Sequence, residues 1–207
     1  MMRANLHLTD YDAAGQPDAD DLGSHSSTLS SVLTQELEGA ATATGLTCEE
    51  ILLAALGRAI QRTIGDGFVA VDVARHENAS YPVALACVGP DRMPATDMLA
   101  SVHHSLAALS ARRMMRPVPE DPGADPMSDV LFAYGVPMAQ PARFGHVLEV
   151  HAHVAGTELA LEWWYDTRSF EPYTVEELAE QFPYAMIELT SEAAPPILAE
   201  PELVAAY

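Results

Sequence analysis

The chain has 207 residues, 49% of them apolar, which is enough to bury the core of one domain and argues against intrinsic disorder. Acidic residues number 30 and basic residues 10, all of them Arg, for a formal charge of −20. That balance excludes partners held by phosphate or anionic lipid, and the absence of Lys excludes Schiff-base chemistry and a phosphate-loop lysine. Cys48 and Cys87 lie far apart in the sequence and are expected to be reduced thiols rather than a disulfide. The N-terminal residues show no charged-then-apolar leader pattern. No run approaches the roughly 18 apolar residues of a membrane span. A cytoplasmic protein without membrane contact is the expectation.

Residues 1–25 are polar and turn-rich, carry Asp18, Asp20 and Asp21, and read as an arm. Leu29, Val32, Leu33 and Leu37 fall at helical spacing, so a first helix is expected from Ser27 or Thr28 to Gly45. Thr47-Cys48-Glu49-Glu50 has the pattern of a capping box, with Thr47 as N-cap and Glu50 at N3. The helix it opens carries a wide apolar face from Ile51 to Ile60, and Ala54, Ala55 and Gly57 leave room for close packing on a sheet. Residues 68–74 and 81–88 read as strands, the second starting at an edge or strand end because of Pro82. A third helix is predicted from Pro94 to about Arg113, then a Pro-rich acidic loop over 117–127. Three strands are predicted at 129–136, 145–154 and 158–165, the last two joined as a hairpin by Ala155-Gly156-Thr157. A final helix is predicted from Thr174, where Thr174-Val175-Glu176-Glu177 has a second capping-box pattern.

The order α-α-β-β-α-β-β-β-α implies an α/β layered fold, with one sheet covered by helices and no doubly wound alternation. The expected organisation is an arm over 1–25, one domain over 26–190 and an acidic, Pro-rich tail over 191–207.

Three groups of residues could carry chemistry. Arg75-His76-Glu77 follows a strand end, where a His–Glu pair can do acid–base work, and is the weak catalytic candidate. His151 and His153 share one strand face with Glu149 and would bind a metal only if a further ligand came from elsewhere; His146 has the opposite parity. In the Trp163-Trp164-Tyr165-Asp166 run, Trp164 faces away from Trp163 and Tyr165. His103 and His104 point about 100° apart on a helix and cannot grip one ion together. No nucleophile elbow and no glycine-rich phosphate loop is present. On residues alone, a polar connection between strands, a solvated hairpin face and a covered sheet face explain these groups as well.

In series, the segments resemble the second half of a nonribosomal peptide synthetase condensation or epimerization domain. In that family a helix beginning at Thr and reading LLAAL leads into a strand and then a Gly-His-Gly-Arg-Glu-like loop, where this chain has Arg75-His76-Glu77. Tyr81-Pro82-Val83-Ala84-Leu85 is similar to the segment that follows, SDVLFAYGVP at 128–137 to the family's Phe-Asn-Tyr-Leu-Gly strand, and residues 158–189 to its closing strand, Tyr-Asp and helix. The resemblance covers roughly residues 28–190.

It implies one lobe of the chloramphenicol acetyltransferase-like fold, with a mixed, largely antiparallel sheet. It also implies a substrate linked to phosphopantetheine or coenzyme A, with no bound cofactor. Tyr81, Tyr134 and Trp164 are the candidate substrate-binding residues. The family's His-His-x-x-x-Asp-Gly motif is absent from this sequence, since His103-His104 is followed by Ser105-Leu106-Ala107-Ala108. Two readings follow. One is a non-catalytic accessory lobe in peptide, polyketide or lipid assembly. The other is half of a split or oligomeric acyltransferase whose catalytic His comes from another chain. Either implies a protein partner or self-association across an exposed apolar face.

Overall fold

The computed structural model describes residues 5–15, 17–76, 79–111, 116–117, 128–135 and 146–193, with the backbone alone at 75–76, 79 and 116–117. Seven strands and four helices follow in the order β1 (Leu22–Leu29), α1 (Ser31–Thr44), α2 (Cys48–Thr63), β2 (Gly67–His76), β3 (Ala79–Cys87), α3 (Ala95–Ala111), β4 (Arg116–Pro117), β5 (Val130–Tyr134), β6 (Leu148–Ala155), β7 (Glu158–Asp166) and α4 (Pro172–Glu192). One sheet takes all seven strands in the order β1-β7-β6-β5-β2-β3-β4. The β2–β5 and β5–β6 pairings are parallel, and the other pairings are antiparallel. The mixed, largely antiparallel sheet expected from the sequence is present. The β6–β7 hairpin turns through Gly156, whose φ of 68° suits a residue without a Cβ.

The helices cover one sheet face. Val69, Val71 and Val73 of β2, Val130 and Phe132 of β5, and Leu161 and Trp163 of β7 share one core with residues of all four helices. Helix α2 lies at the centre of this layer. Every residue from Glu49 to Ile60 is buried. Its capping box is formed: the Thr47 N–H donates to Glu50 Oε2 (2.7 Å) and the Glu50 N–H to Thr47 Oγ1 (3.2 Å). Gly57 is where α2 touches the sheet, because a Cβ there would sit 2.5 Å from the Ala86 carbonyl oxygen. No helix among the described residues is long and apolar enough to cross a membrane.

Three expectations about element ends need correction. Residues 22–29 form edge strand β1, paired along its length with β7, so the first helix begins at Ser31 with Ser30 as its cap and not at Ser27 or Thr28. The stripe read from Leu29 to Leu37 straddles this junction: Leu29 ends the strand, Val32 is 62% exposed, and the buried stripe of α1 runs through Thr34, Leu37, Ala41 and Thr44. Helix α4 starts at Pro172, capped by Glu171 without a side-chain hydrogen bond, so the second capping-box pattern is not one. A proline with φ already near helical values is a good first residue, and it places Thr174 inside the first turn. Residues 5–11 of the arm lie against the domain: the Asn5 and Leu6 N–H groups donate to the Phe68 carbonyl, those of Asp10 and Tyr11 donate to the Ser169 carbonyl, and Leu8 is buried between them.

Candidate functional site

The sheet face opposite the helices is polar and still covered. Strand alternation puts Asp72, Glu149 and His151 on this side, while Val71, Val73 and Val150 point to the core. Asp72 and Glu149 flank Leu131 in register, one strand to each side, so they stand about 10 Å apart. Glu149 lies opposite Trp164, and His151 opposite Glu162, whose carboxylate accepts a 2.6 Å hydrogen bond from the Ser26 hydroxyl.

Two carboxylate–imidazole pairs lie on this face. His146 Nε2 is 3.1 Å from Asp72 Oδ2, and His151 Nε2 is 3.1 Å from Glu149 Oε2. All four side chains are at most 8% exposed. The Glu149 contact fixes a neutral His151 in the tautomer with its proton on Nε2 and a lone pair on Nδ1. That Nδ1 is buried and finds no hydrogen-bond partner among the described residues, and the same holds for His153 Nδ1 and Trp164 Nε1. An imidazole held this way can accept a proton at Nδ1 while the carboxylate orients it.

The sequence candidates divide between the two faces. His151, His153, Glu149 and Trp164 share the helix-free face. Among the described residues, no group of three metal-ligating side chains is placed to hold an ion. Tyr81 pairs with Val73 and Tyr134 follows Phe132 by two residues, so both point toward the helices. The structure therefore does not bring the three aromatic candidates together. Arg75 and His76 end β2, and Glu77 lies outside the described residues.

On the helix side, Tyr81 lines a cleft of about 360 Å³ with Thr47, Glu49, Glu50 and Leu106. His103 Nδ1 stands 2.8 Å from Glu50 Oε1 beside it, while His104 is exposed. Burial pushes the Tyr134 phenol up to about 12. Burial likewise raises the Cys48 thiol and pushes Cys87 up to about 12, and both cysteines are free.

Strand parity missed the Asp72–His146 pair because His146 precedes β6, where alternation does not yet apply. The Glu50–His103 and Arg58–Glu188 pairs join residues 53 and 130 positions apart and leave no local signal.

Comparison with solved structures decides the fold. The epimerization domain from the third module of tyrocidine synthetase B aligns with a TM-score of 0.66 at 16% identity, over 92% of this chain and 52% of that one. The condensation domain that mediates chain release from the enacyloxin polyketide synthase aligns at 0.64 and 14% identity, over 91% and 44%. The first condensation domain of the CDA synthetase aligns at 0.62 and 19% identity, over 92% and 49%. The fold is that of a condensation-domain lobe. The lobe spans about half of each of these domains, with the chloramphenicol acetyltransferase-like architecture expected from the sequence.

Among curated proteins, the lobe is similar to a phenolphthiocerol/phthiocerol polyketide synthase polypeptide found in Mycobacterium tuberculosis and in Mycobacterium bovis. It is 30% identical over 241 aligned positions, covering 92% of this chain and 16% of the synthase polypeptide. The alignment is longer than the lobe, so the synthase carries insertions within the matched stretch. No family model matches the sequence.

Proposed function

We propose that this condensation-type lobe is a non-catalytic accessory or interaction protein of polyketide, nonribosomal peptide or lipid assembly. The observation that carries the reading is the fold of one lobe in a sequence without the His-His-x-x-x-Asp-Gly motif. The neighbouring His103-His104 pair sits in α3, on the helix side, with His103 engaged by Glu50. The likeness to a polyketide synthase polypeptide supports the setting. The match to only about half of each aligned domain favours a second reading. In it, the lobe completes a split acyltransferase whose catalytic imidazole comes from another polypeptide, acting on a substrate linked to phosphopantetheine or coenzyme A.

Incubating the purified chain with an acyl pantetheine thioester and an amine or alcohol acceptor tests both. The accessory reading expects no transfer above the uncatalysed rate, alone or after addition of a separately produced lobe bearing the His-His-x-x-x-Asp-Gly motif. Transfer that appears only with the added lobe establishes the split enzyme. Transfer by the chain alone that His76→Ala or His151→Ala abolishes overturns the accessory reading.

A further inference from the structure

The outer face of α4 is an ordered stripe that nothing among the described residues covers. The helix buries its inner face from Val175 to Leu189 against the core. The opposite face presents Tyr173, Glu176, Glu180, Tyr184, Ile187 and Ser191, all exposed, at intervals of three and four residues. That interval is the spacing of a seam that meets a second helix. Tyr173, Tyr184 and Ile187 are 70%, 61% and 37% exposed, so half of the six large apolar side chains exposed among the described residues lie on this line.

The charge of the stripe selects the partner. Residues 172–192 contain five Glu and no Arg, Lys or His. Glu176 and Glu180 stand four residues apart, a repulsive arrangement on a helix, and neither makes an ion pair among the described residues. Arg58 and Arg62, which reach α4 from α2, are already engaged by Glu188 on its flank.

We propose that the α4 stripe docks a basic amphipathic helix of a partner polypeptide. Its apolar residues would cover Tyr184 and Ile187, and its Arg or Lys side chains would face Glu176 and Glu180. Packing of this kind brings helix axes to about 8–10 Å. A second copy of this chain fits poorly, because it brings the same acidic stripe and a charge of −20 to the contact. Nucleic acid and anionic membranes are repelled for the same reason. The proposal rests on the exposed helix and holds whether the lobe is catalytic or accessory.

Fluorescence anisotropy with the full chain and two designed peptides tests it. Both peptides carry Leu at helical seam positions; one has Arg at the flanking positions and its twin has Glu. The Arg peptide should bind, with affinity falling as salt is raised. The double substitution Glu176→Arg/Glu180→Arg should weaken it roughly tenfold or more, and should make the chain accept the Glu twin. Tyr184→Ser/Ile187→Ser should weaken both pairings, with circular dichroism showing each variant folded. Equal binding of the two peptides to the wild-type chain, or Arg-peptide binding indifferent to both double substitutions, overturns the proposal. Sedimentation showing a wild-type dimer that Tyr184→Ser/Ile187→Ser dissolves overturns it in favour of a second copy.

Discussion

Arg58 is fully buried in α2, the one charged residue in the buried stretch from Ile51 to Ile60. Burial lowers its pKa, and Glu188 of α4 opposes that shift from 3.0 Å. A second Arg58 nitrogen donates to the Met93 carbonyl, so one guanidinium ties α2 to α4 and to the loop before α3. Arg62 reaches the other Glu188 oxygen at 2.5 Å but is partly exposed. Such a pair stabilises little relative to apolar residues of the same shape, whereas removing one partner strands the other charge. Glu188→Gln should therefore cost about 3–5 kcal/mol, and Arg58→Met much less, since it removes the buried charge and leaves Glu188 paired with Arg62. Urea denaturation of the two variants checks this; equal costs would mean that the contact acts through packing and not through charge.

At the scale of elements, legibility in the sequence followed locality. Helix α2 was readable because its capping box, apolar run and small residues lie within one short stretch of consecutive positions. Edge strand β1 was not: Ser24 to Thr28 alternate polar groups between half-buried and exposed positions, and the strand exists because β7 pairs with it from a distant part of the chain. Helix α4 does not start where its Thr-x-x-Glu pattern suggests, because that pattern is common and Pro172 two residues earlier is the stronger signal. The candidate site was legible only in part. Alternation puts Glu149, His151 and His153 on one face, but that Trp164 shares it follows only from the β6–β7 register, and the Asp72–His146 pair depends on sheet order, which the sequence alone does not give. Close packing at Gly57 is legible in its small neighbours and has a measurable consequence. In Gly57→Ala the new methyl would meet the Ala86 carbonyl at 2.5 Å and Met98 Cε at 2.6 Å. The carbonyl belongs to β3 and cannot yield cheaply, so the overpacking should cost about 1–3 kcal/mol despite alanine's better helix propensity. A thermal midpoint unchanged or raised by this substitution would show that α2 can move away from the sheet.

The whole molecule carries −20 charges at neutral pH and has a pI near 4.5. Self-repulsion of that size works against the compact state, and salt screens it over a Debye length of roughly 10 Å at 0.1 M. The ties that hold the helices together are much less exposed to screening, because Arg58 is buried and Glu188 nearly so. Moderate sodium chloride should then raise the thermal midpoint at pH 7, and the gain should shrink near the pI, where the net charge vanishes. Acid ends the improvement. Burial opposes ionisation of Asp166, but its hydrogen bonds from Arg168 outweigh that and hold the carboxyl below the usual range. A carboxyl whose folded pKa is depressed contributes stability that is present above its unfolded value, about 3.9, and that is lost as pH falls through the folded one. Stability should therefore pass through a maximum between neutral pH and about pH 4, moving toward neutral as salt is added. Calorimetry over a grid of pH and salt checks this. A salt response of the same slope at pH 7 and at the pI would mean that net charge is not what limits the fold.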